Sequence, residues 1–399
     1  MTICVLGNLN PEGLKNFLYK DQTVPTINIT ATAVTTYVKE LLLQGYDVIV
    51  ITSSIPGNSF DTILKGNNIL IHIVHSNPGF YLTHALSRIY MIRRLNKVIG
   101  EYIDKIDIIH AQWTYEYAFA AKSYSEILPV FCTVRDWCPY ILSLQKGFKK
   151  IQWYLYYFIF KSVMDCDKIH FIANSEYTYK CIVDKYPQKS VSIIYNPIDK
   201  DFIMMSKNNI ISSSPVFIFI SGYIFERRKN VYTLIEAFSV FHNENPNSEL
   251  KIVGKGNIEG NPRIVEYKSR GMLEGVSFLG AMDHDSLMNE IDKCSCLVHP
   301  SLEETFGNIL VEGMARRVIV IGGSKSGAVP SVLGYGKCGI LCDITDPISI
   351  KNAMDMSTNA DFSSSIINNA TKFLIDNYSS DTIVRKHIDT YLKYSGRQN

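Results

Sequence analysis

Paired Cys-x-x-Cys spacings, internal repeats, low-complexity tracts and long apolar runs are all missing from this sequence, and net charge is nearly so. The nine cysteines are Cys4, Cys132, Cys138, Cys166, Cys181, Cys294, Cys296, Cys338 and Cys342. Their odd number and scattered spacing favour reduced, mostly buried thiols over a disulfide frame or a zinc site. Lysine and arginine total 40 against 38 acids, so there is no global electrostatic case for nucleic acid. The apolar run Tyr154 to Phe160 is far short of the ~20 residues that a spanning helix needs. Met1 to Leu6 has neither the basic start nor the long apolar core of a secretory signal, and a cytoplasmic setting is the expectation. With hydrophobic content of 46% over 399 residues, the chain can bury a sizeable core and is long for a single one.

What is present is strand–helix alternation. Apolar, β-branched runs recur at Ile3–Leu6, Val48–Thr52, Ile69–Val74, Ile106–His110, Val130–Val134, Ile169–Ala173 and Val191–Tyr195. Between the first two, Val34, Tyr37, Val38, Leu41 and Leu42 fall at helical spacing, and Gly45 serves as a C-cap. The pattern restarts after a polar stretch, with strands at Val216–Ile220, Leu250–Val253, Val276–Leu279, Cys296–His299, Val318–Ile321 and Gly339–Cys342. This is the signature of two parallel, doubly wound sheets of the α/β class. The expected division is 1–205, 206–375 and a terminal helix over 376–399 that packs back on the first domain. Asn196-Pro197-Ile198-Asp199 and Ser206 to Pro215 read as the connection.

Residues 298–320 carry the densest chemistry. A strand ends at His299-Pro300, a polar loop holds Glu304, and Gly307 opens a helix that carries Glu312. Asn308, Glu312 and Arg316 share one helical stripe, while Leu310, Val311 and Met314 point toward the sheet. A Glu312–Arg316 surface pair is the bland reading of that stripe. Two carboxylates around a helix N-terminus, whose free N–H groups attract anions, suit a phosphorylated ligand with sugar hydroxyls. The segment resembles the donor-sugar motif of retaining glycosyltransferases of family 4, in which Glu, any seven residues, then Glu flank a Phe-Gly turn. The resemblance implies that Glu304 contacts donor-sugar hydroxyls and Glu312 the nucleotide ribose. Amides and side chains of Thr305, Phe306, Gly307 and Asn308 would meet sugar and diphosphate.

Further segments carry the same resemblance. Ser221-Gly222-Tyr-Ile-Phe-Glu-Arg227-Arg228-Lys229-Asn230 follows the first strand of the second domain, where the family places cations on the leaving diphosphate. Lys229 fits the family lysine. The arginine usual after the glycine is Tyr223 here, so Arg227 or Arg228 would take its part. Gly254 and Gly280 lie in strand–glycine turns like those that hold the base, where glycine admits close backbone approach. Gly327 to Ser331 resembles another family loop, and Asp346 fits the end of a later strand.

The first domain resembles the family more loosely. His110 and Trp113 lie at a strand end, Asn174-Ser175-Glu176 matches a later landmark, and Arg135 stands where many members have an acceptor-facing histidine. Arginine cannot act as a base near neutral pH. His110, Trp113 and Asp136 are therefore the acceptor-side candidates, with Arg135 joining Glu304, Lys229 and Arg228 in the catalytic set. The family's glycine pair before the first helix is replaced near Asn28-Ile29-Thr30. Two Asp-x-Asp triplets, Asp165–Asp167 and Asp283–Asp285, read as a strand lead-in and a helix cap, and no metal is expected. Lys146, Lys149, Lys150 and Lys161 bracket the aromatic segment 153–160, which reads either as a core helix or as a contact with an anionic bilayer.

The resemblance implies a GT-B fold, two Rossmann-like domains facing across a cleft. It implies transfer of a hexose, with retained configuration, from a nucleotide sugar (UDP-linked first, GDP-linked next) to a hydroxyl of a glycan or lipid-linked glycan. Bacterial surface polysaccharide assembly (O-antigen or capsule) is the expected setting, at the inner membrane face and without a cofactor. The rival readings are a nucleotide-sugar 2-epimerase of the same architecture and a catalytically idle scaffold that partners an active transferase.

Overall fold

The computed structural model describes residues 1–25, 31–53, 60–75, 84–204 and 214–396. The departure at Asn28-Ile29-Thr30 and most of the polar stretch from Ser206 lie outside them. Two compact units emerge, Met1–Pro197 with Ser380–Asn399, and Ile198–Ser379. The divisions thus fall at 197/198 and 379/380, a few residues from 205/206 and 375/376.

The first unit contains β1 (Thr2–Leu6), α1 (Thr32–Leu43), β2 (Asp47–Ser53), β3 (Thr62–Lys65), β4 (Ile69–Val74), α2 (His84–Tyr102), β5 (Ile108–Ala111) and α3 (Glu116–Lys122). It continues with β6 (Val130–Val134), α4 (Cys138–Leu144), α5 (Gly147–Met164), β7 (Ile169–Ala173), α6 (Glu176–Lys185) and β8 (Val191–Ile193). Among the described residues the sheet order is β3-β4-β2-β1-β5-β6-β7-β8, parallel except where β3 runs against β4. Strands β5, β6 and β7 are buried along their whole length, as a sheet covered on both faces requires. On α1, Val34, Tyr37, Val38, Leu41 and Leu42 are buried, and Gly45 follows the helix at φ +82°. Each such aliphatic side chain contributes roughly 1.5–3 kcal/mol of burial. All nine cysteines are free thiols.

The second unit contains α7 (Lys200–Met204), β9 (Val216–Tyr223), α8 (Val231–Glu244), β10 (Glu249–Lys255), α9 (Pro262–Ser269), β11 (Val276–Gly280), α10 (His284–Ile291) and β12 (Cys296–His299). It closes with α11 (Asn308–Ala315), β13 (Ile319–Gly323), α12 (Val329–Val332), β14 (Ile340–Cys342), α13 (Pro347–Ser357) and α14 (Ala360–Tyr378). Its sheet, parallel throughout, runs β11-β10-β9-β12-β13-β14. Chain order reverses between β9 and β12, so the loops after those two strands diverge at a topological switch point, where open α/β sheets place their ligands. Asp283 and Asp346 both serve as N-caps, each accepting from backbone N–H groups of the following turn. Asp346 therefore starts a helix and does not end a strand.

The expected tail helix breaks in two. Ser379 is non-helical (φ −59°, ψ 143°), and α15 (Ser380–Tyr394) belongs to the first unit. It lays Ile383, Val384, Ile388 and Tyr391 against the sheet's α1 side. Tyr391 Oη lies 2.5 Å from Tyr37 Oη and 2.6 Å from His110 Nδ1.

Candidate active site

Strand β9 ends in an exposed turn, Gly222-Tyr223, and a short 3-10 turn at Arg227–Lys229 leads into α8 through Asn230. Asn230 is left-handed (φ +55°), and its side chain donates to Ile344 O at 2.7 Å while accepting from Thr233 Oγ1. That ties the cationic turn to the loop that follows β14, and two further bonds set it beside the loop that follows β12. Leu302 N donates to Arg228 O at 2.8 Å, and Arg228 Nη1 donates to Glu303 O at 3.0 Å.

The two loops converge on Glu304. Lys229 Nζ lies 2.5 Å from Glu304 Oε1, His299 Nε2 lies 3.0 Å from the same oxygen, and Arg228 Nη1 lies 3.6 Å from Oε2. Glu304 is 8% exposed and His299 2%. Burial alone would raise the Glu304 pKa. The Lys229 charge, the His299 hydrogen bond and Arg228 outweigh it and hold the carboxyl well below the usual carboxylate range. Burial likewise works against the Arg228 charge, but Glu304, Glu226 and Glu303 raise its pKa overall. Burial lowers the His299 pKa, which keeps the ring neutral. Nε2 then carries the proton it donates to Glu304, and Nδ1 is buried without a partner among the described residues.

Around this cluster the other expected residues divide. Gly307 is left-handed (φ +85°) and caps α11; a Cβ there would sit 2.9 Å from Leu310 Cδ1. Thr305 is half-buried and Asn308 exposed at the helix start. Phe306 is buried edge-on against Tyr378, so only its backbone is available to a ligand. Ala328 N donates to Glu304 O at 2.8 Å, which ties the Gly327 loop to the cluster. Glu312 lies 3.6 Å from His284 Nε2 and raises that ring's pKa. Arg316 instead pairs with Asp292 and stacks over Phe202, so its guanidinium is committed there. Arg227 is exposed.

The glycines serve different ends. Gly254 has φ +142°, and a Cβ there would fall 1.8 Å from Ser221 O. It is required by the close approach of β9 to β10, whether or not a ligand comes near. Gly280 is left-handed (φ +73°) with open space beyond it, and Gly222 also faces open space.

In the first unit one expectation is corrected. His110 is fully buried, with Nε2 2.7 Å from Thr133 Oγ1 and Nδ1 on Tyr391. It bolts α15 to the sheet and does not face an acceptor. Burial holds its pKa well below the usual histidine range. Arg135 donates to Gln112 Oε1 and, at 2.7 Å, to Asn196 Oδ1, with its guanidinium 5.5 Å from the Trp113 ring. Burial pushes its pKa down to about 10. Trp113 and Asp136 are half-buried. Three residues that sequence reasoning passed over matter here: His299, His284 and Glu303. The signal for His299 was its place at a strand end five residues before Glu304. Among the described residues no group of three or more metal-ligating side chains converges.

Two family models match end to end, that of glycosyltransferase family 4 over residues 30–202 and that of glycosyl transferases group 1 over 202–373. The chain belongs to the family 4 glycosyltransferases. Its similar relatives include the N-acetyl-alpha-D-glucosaminyl L-malate synthase of Bacillus anthracis, 23% identical over 88% of this chain and 91% of that protein. An uncharacterized 41.2 kDa protein in the cps region of Klebsiella pneumoniae is 24% identical over 73% and 80%. Among solved structures, the sucrose-phosphate synthase of Thermosynechococcus elongatus aligns over 100% of both chains at TM-score 0.75 and 14% identity. Anabaena HepE in complex with UDP-glucose aligns over 98% of this chain and all of its own, at TM-score 0.68 and 15% identity. Those likenesses establish the GT-B fold of this family 4 member.

Proposed function

We propose that the chain transfers a hexose from a nucleotide sugar to a hydroxyl of a glycan or lipid-linked glycan, with retention of configuration, during assembly of a surface polysaccharide. The observation that carries this reading is the Glu304 carboxylate, ionised and gripped by Lys229, Arg228 and His299 at the switch point of the second sheet. A donor diphosphate competes for the same two cations. When Lys229 and Arg228 turn to the phosphates, Glu304 is released to accept hydrogen bonds from the sugar hydroxyls. Glu312 would hold the nucleotide ribose, and the amides at Gly307–Asn308 would meet the diphosphate. The C1–O bond to the diphosphate breaks as the acceptor oxygen bonds C1 from the same face, and the acceptor proton passes to the departing phosphate oxygen. Lys229 and Arg228 neutralise the charge that accumulates there. No metal enters this scheme.

A uridine donor is supported by HepE, solved with UDP-glucose, and the polysaccharide setting by the relative in a cps region. Arg135 and Trp113 would lie on the acceptor side, with Arg135 steadying negative charge. Thermal melting with UDP, GDP and UDP-glucose tests the donor. At about 100 times its dissociation constant the right ligand adds about 2.7 kcal/mol and raises the melting temperature. Lys229→Ala is expected to abolish most of that rise. No shift with any nucleotide or nucleotide sugar would overturn the reading.

A further inference from the structure

Helix α5 has two opposite faces, and both are apolar. At about 100° per residue, Ile159, Phe160, Val163 and Met164 fall on one side and are buried in the first unit's core. The other side presents Ile151 (66% exposed), Tyr154 (45%) and Phe158 (64%) to solvent, with Phe148 (73%) exposed in the first turn. The expectation of a core helix therefore holds for only half its circumference. Single exposed apolar residues need no explanation, but an aligned row of large ones does.

Charge gives the row its partner. From Trp137 to Met164 there is no acid, whereas Lys146, Lys149, Lys150 and Lys161 are all exposed. Lys150 and Lys161 lie on the same half of the helix as the row, and Lys146 and Lys149 at its start. Asp165, just past the helix end, is 3.9 Å from Lys161, and Glu116, on another helix, is paired with the Arg88 that lies over Tyr156. A helix with apolar and aromatic side chains flanked by lysines and free of carboxylates matches an anionic lipid surface. The rings enter the headgroup boundary and the long lysine stems reach the phosphates. Among the described residues no helix is long and apolar enough to cross a membrane.

We infer that the exposed face of α5 docks the protein onto anionic bilayers, with Phe148, Ile151, Tyr154 and Phe158 inserting and Lys150 and Lys161 engaging lipid phosphates. This stands apart from the transferase reading, because it requires neither a donor nor turnover.

The test is co-sedimentation of the full chain with vesicles of phosphatidylcholine alone and of phosphatidylcholine mixed equally with phosphatidylglycerol. Binding is expected only to the second, and is expected to weaken with salt. K150E/K161E is expected to bind about thirtyfold more weakly, from the loss of two lysine–lipid attractions. F158S is expected to lose insertion, read as weaker co-sedimentation with the mixed vesicles at a salt concentration that leaves the wild-type chain bound. Both variants alter exposed side chains, and unchanged melting temperatures verify that they fold. Equal binding to neutral vesicles, or none to either, overturns the inference. So does a concentration-dependent dimer that F158S dissolves in sedimentation velocity, since the face would then cover a second copy.

Discussion

In the proposed reaction Glu304 is the residue on which the chemistry turns, and its surroundings explain its charge. Its oxygens are satisfied by Lys229, His299 and Arg228, so its buried charge is paired. At the same scale, Gly254 is a structural necessity. Gly254→Ala would place a Cβ against Ser221 O at a backbone angle that L side chains rarely adopt. A loss of about 2 kcal/mol or more is expected in urea unfolding, and an unchanged midpoint would contradict the geometry. The resemblance singled out Glu304, Lys229 and Glu312, and the structure brings Lys229 onto Glu304 while Glu312 lies beside His284. The sequence pointed to Gly254 as a ligand turn, yet its constraint comes from a neighbouring strand's carbonyl, which no local pattern encodes. His299 was harder to read: a lone histidine has no periodicity to betray it, and its one signal was its place at a strand end shortly before Glu304.

At the scale of elements, strands and helices followed their apolar spacing closely, since burial on both sheet faces demands continuous β-branched runs. The break at Ser379 escaped that logic, because both halves of the tail are amphipathic at one period and the interruption is polar. The consequence is that α15 is anchored by a buried polar chain, Tyr37–Tyr391–His110. Tyr391→Phe removes the shared hydroxyl and leaves buried partners on either side. A loss of about 1–3 kcal/mol in denaturant unfolding is expected, with the larger end if no water enters. Wild-type stability in that variant would mean the hydroxyls contribute nothing. Asp283→Ala and Asp346→Ala, each removing an N-cap, are expected to cost about 1 kcal/mol apiece in the same measurement.

For the whole molecule, buried neutral histidines set the acid limit. Burial lowers the pKa of His110 and His299, takes His170 down to about 4 and His387 to about 3. Each binds its proton more readily when unfolded. Stability is therefore complete above the unfolded value near 6.5 and is withdrawn as pH falls toward the folded values. Every such histidine removes up to about 1.4 kcal/mol per pH unit over that window. Glu304, held ionised, adds to the loss once pH drops below the ordinary carboxylate pKa near 4.3. Urea midpoints that decline steadily from about pH 6.5 downward are expected, and a flat profile to about pH 5 would contradict the burial of these rings.

The most direct measurement is the initial rate of sugar release from the donor that raises the melting temperature, compared between the wild-type chain and Glu304→Gln. The substitution keeps the shape and removes the charge that, in the proposed reaction, holds the sugar. A fall in kcat of at least about 100-fold is expected, with the nucleotide diphosphate still bound through Lys229 and Arg228. Turnover within a few fold of wild type would show that Glu304 is only the anchor of a buried ion cluster.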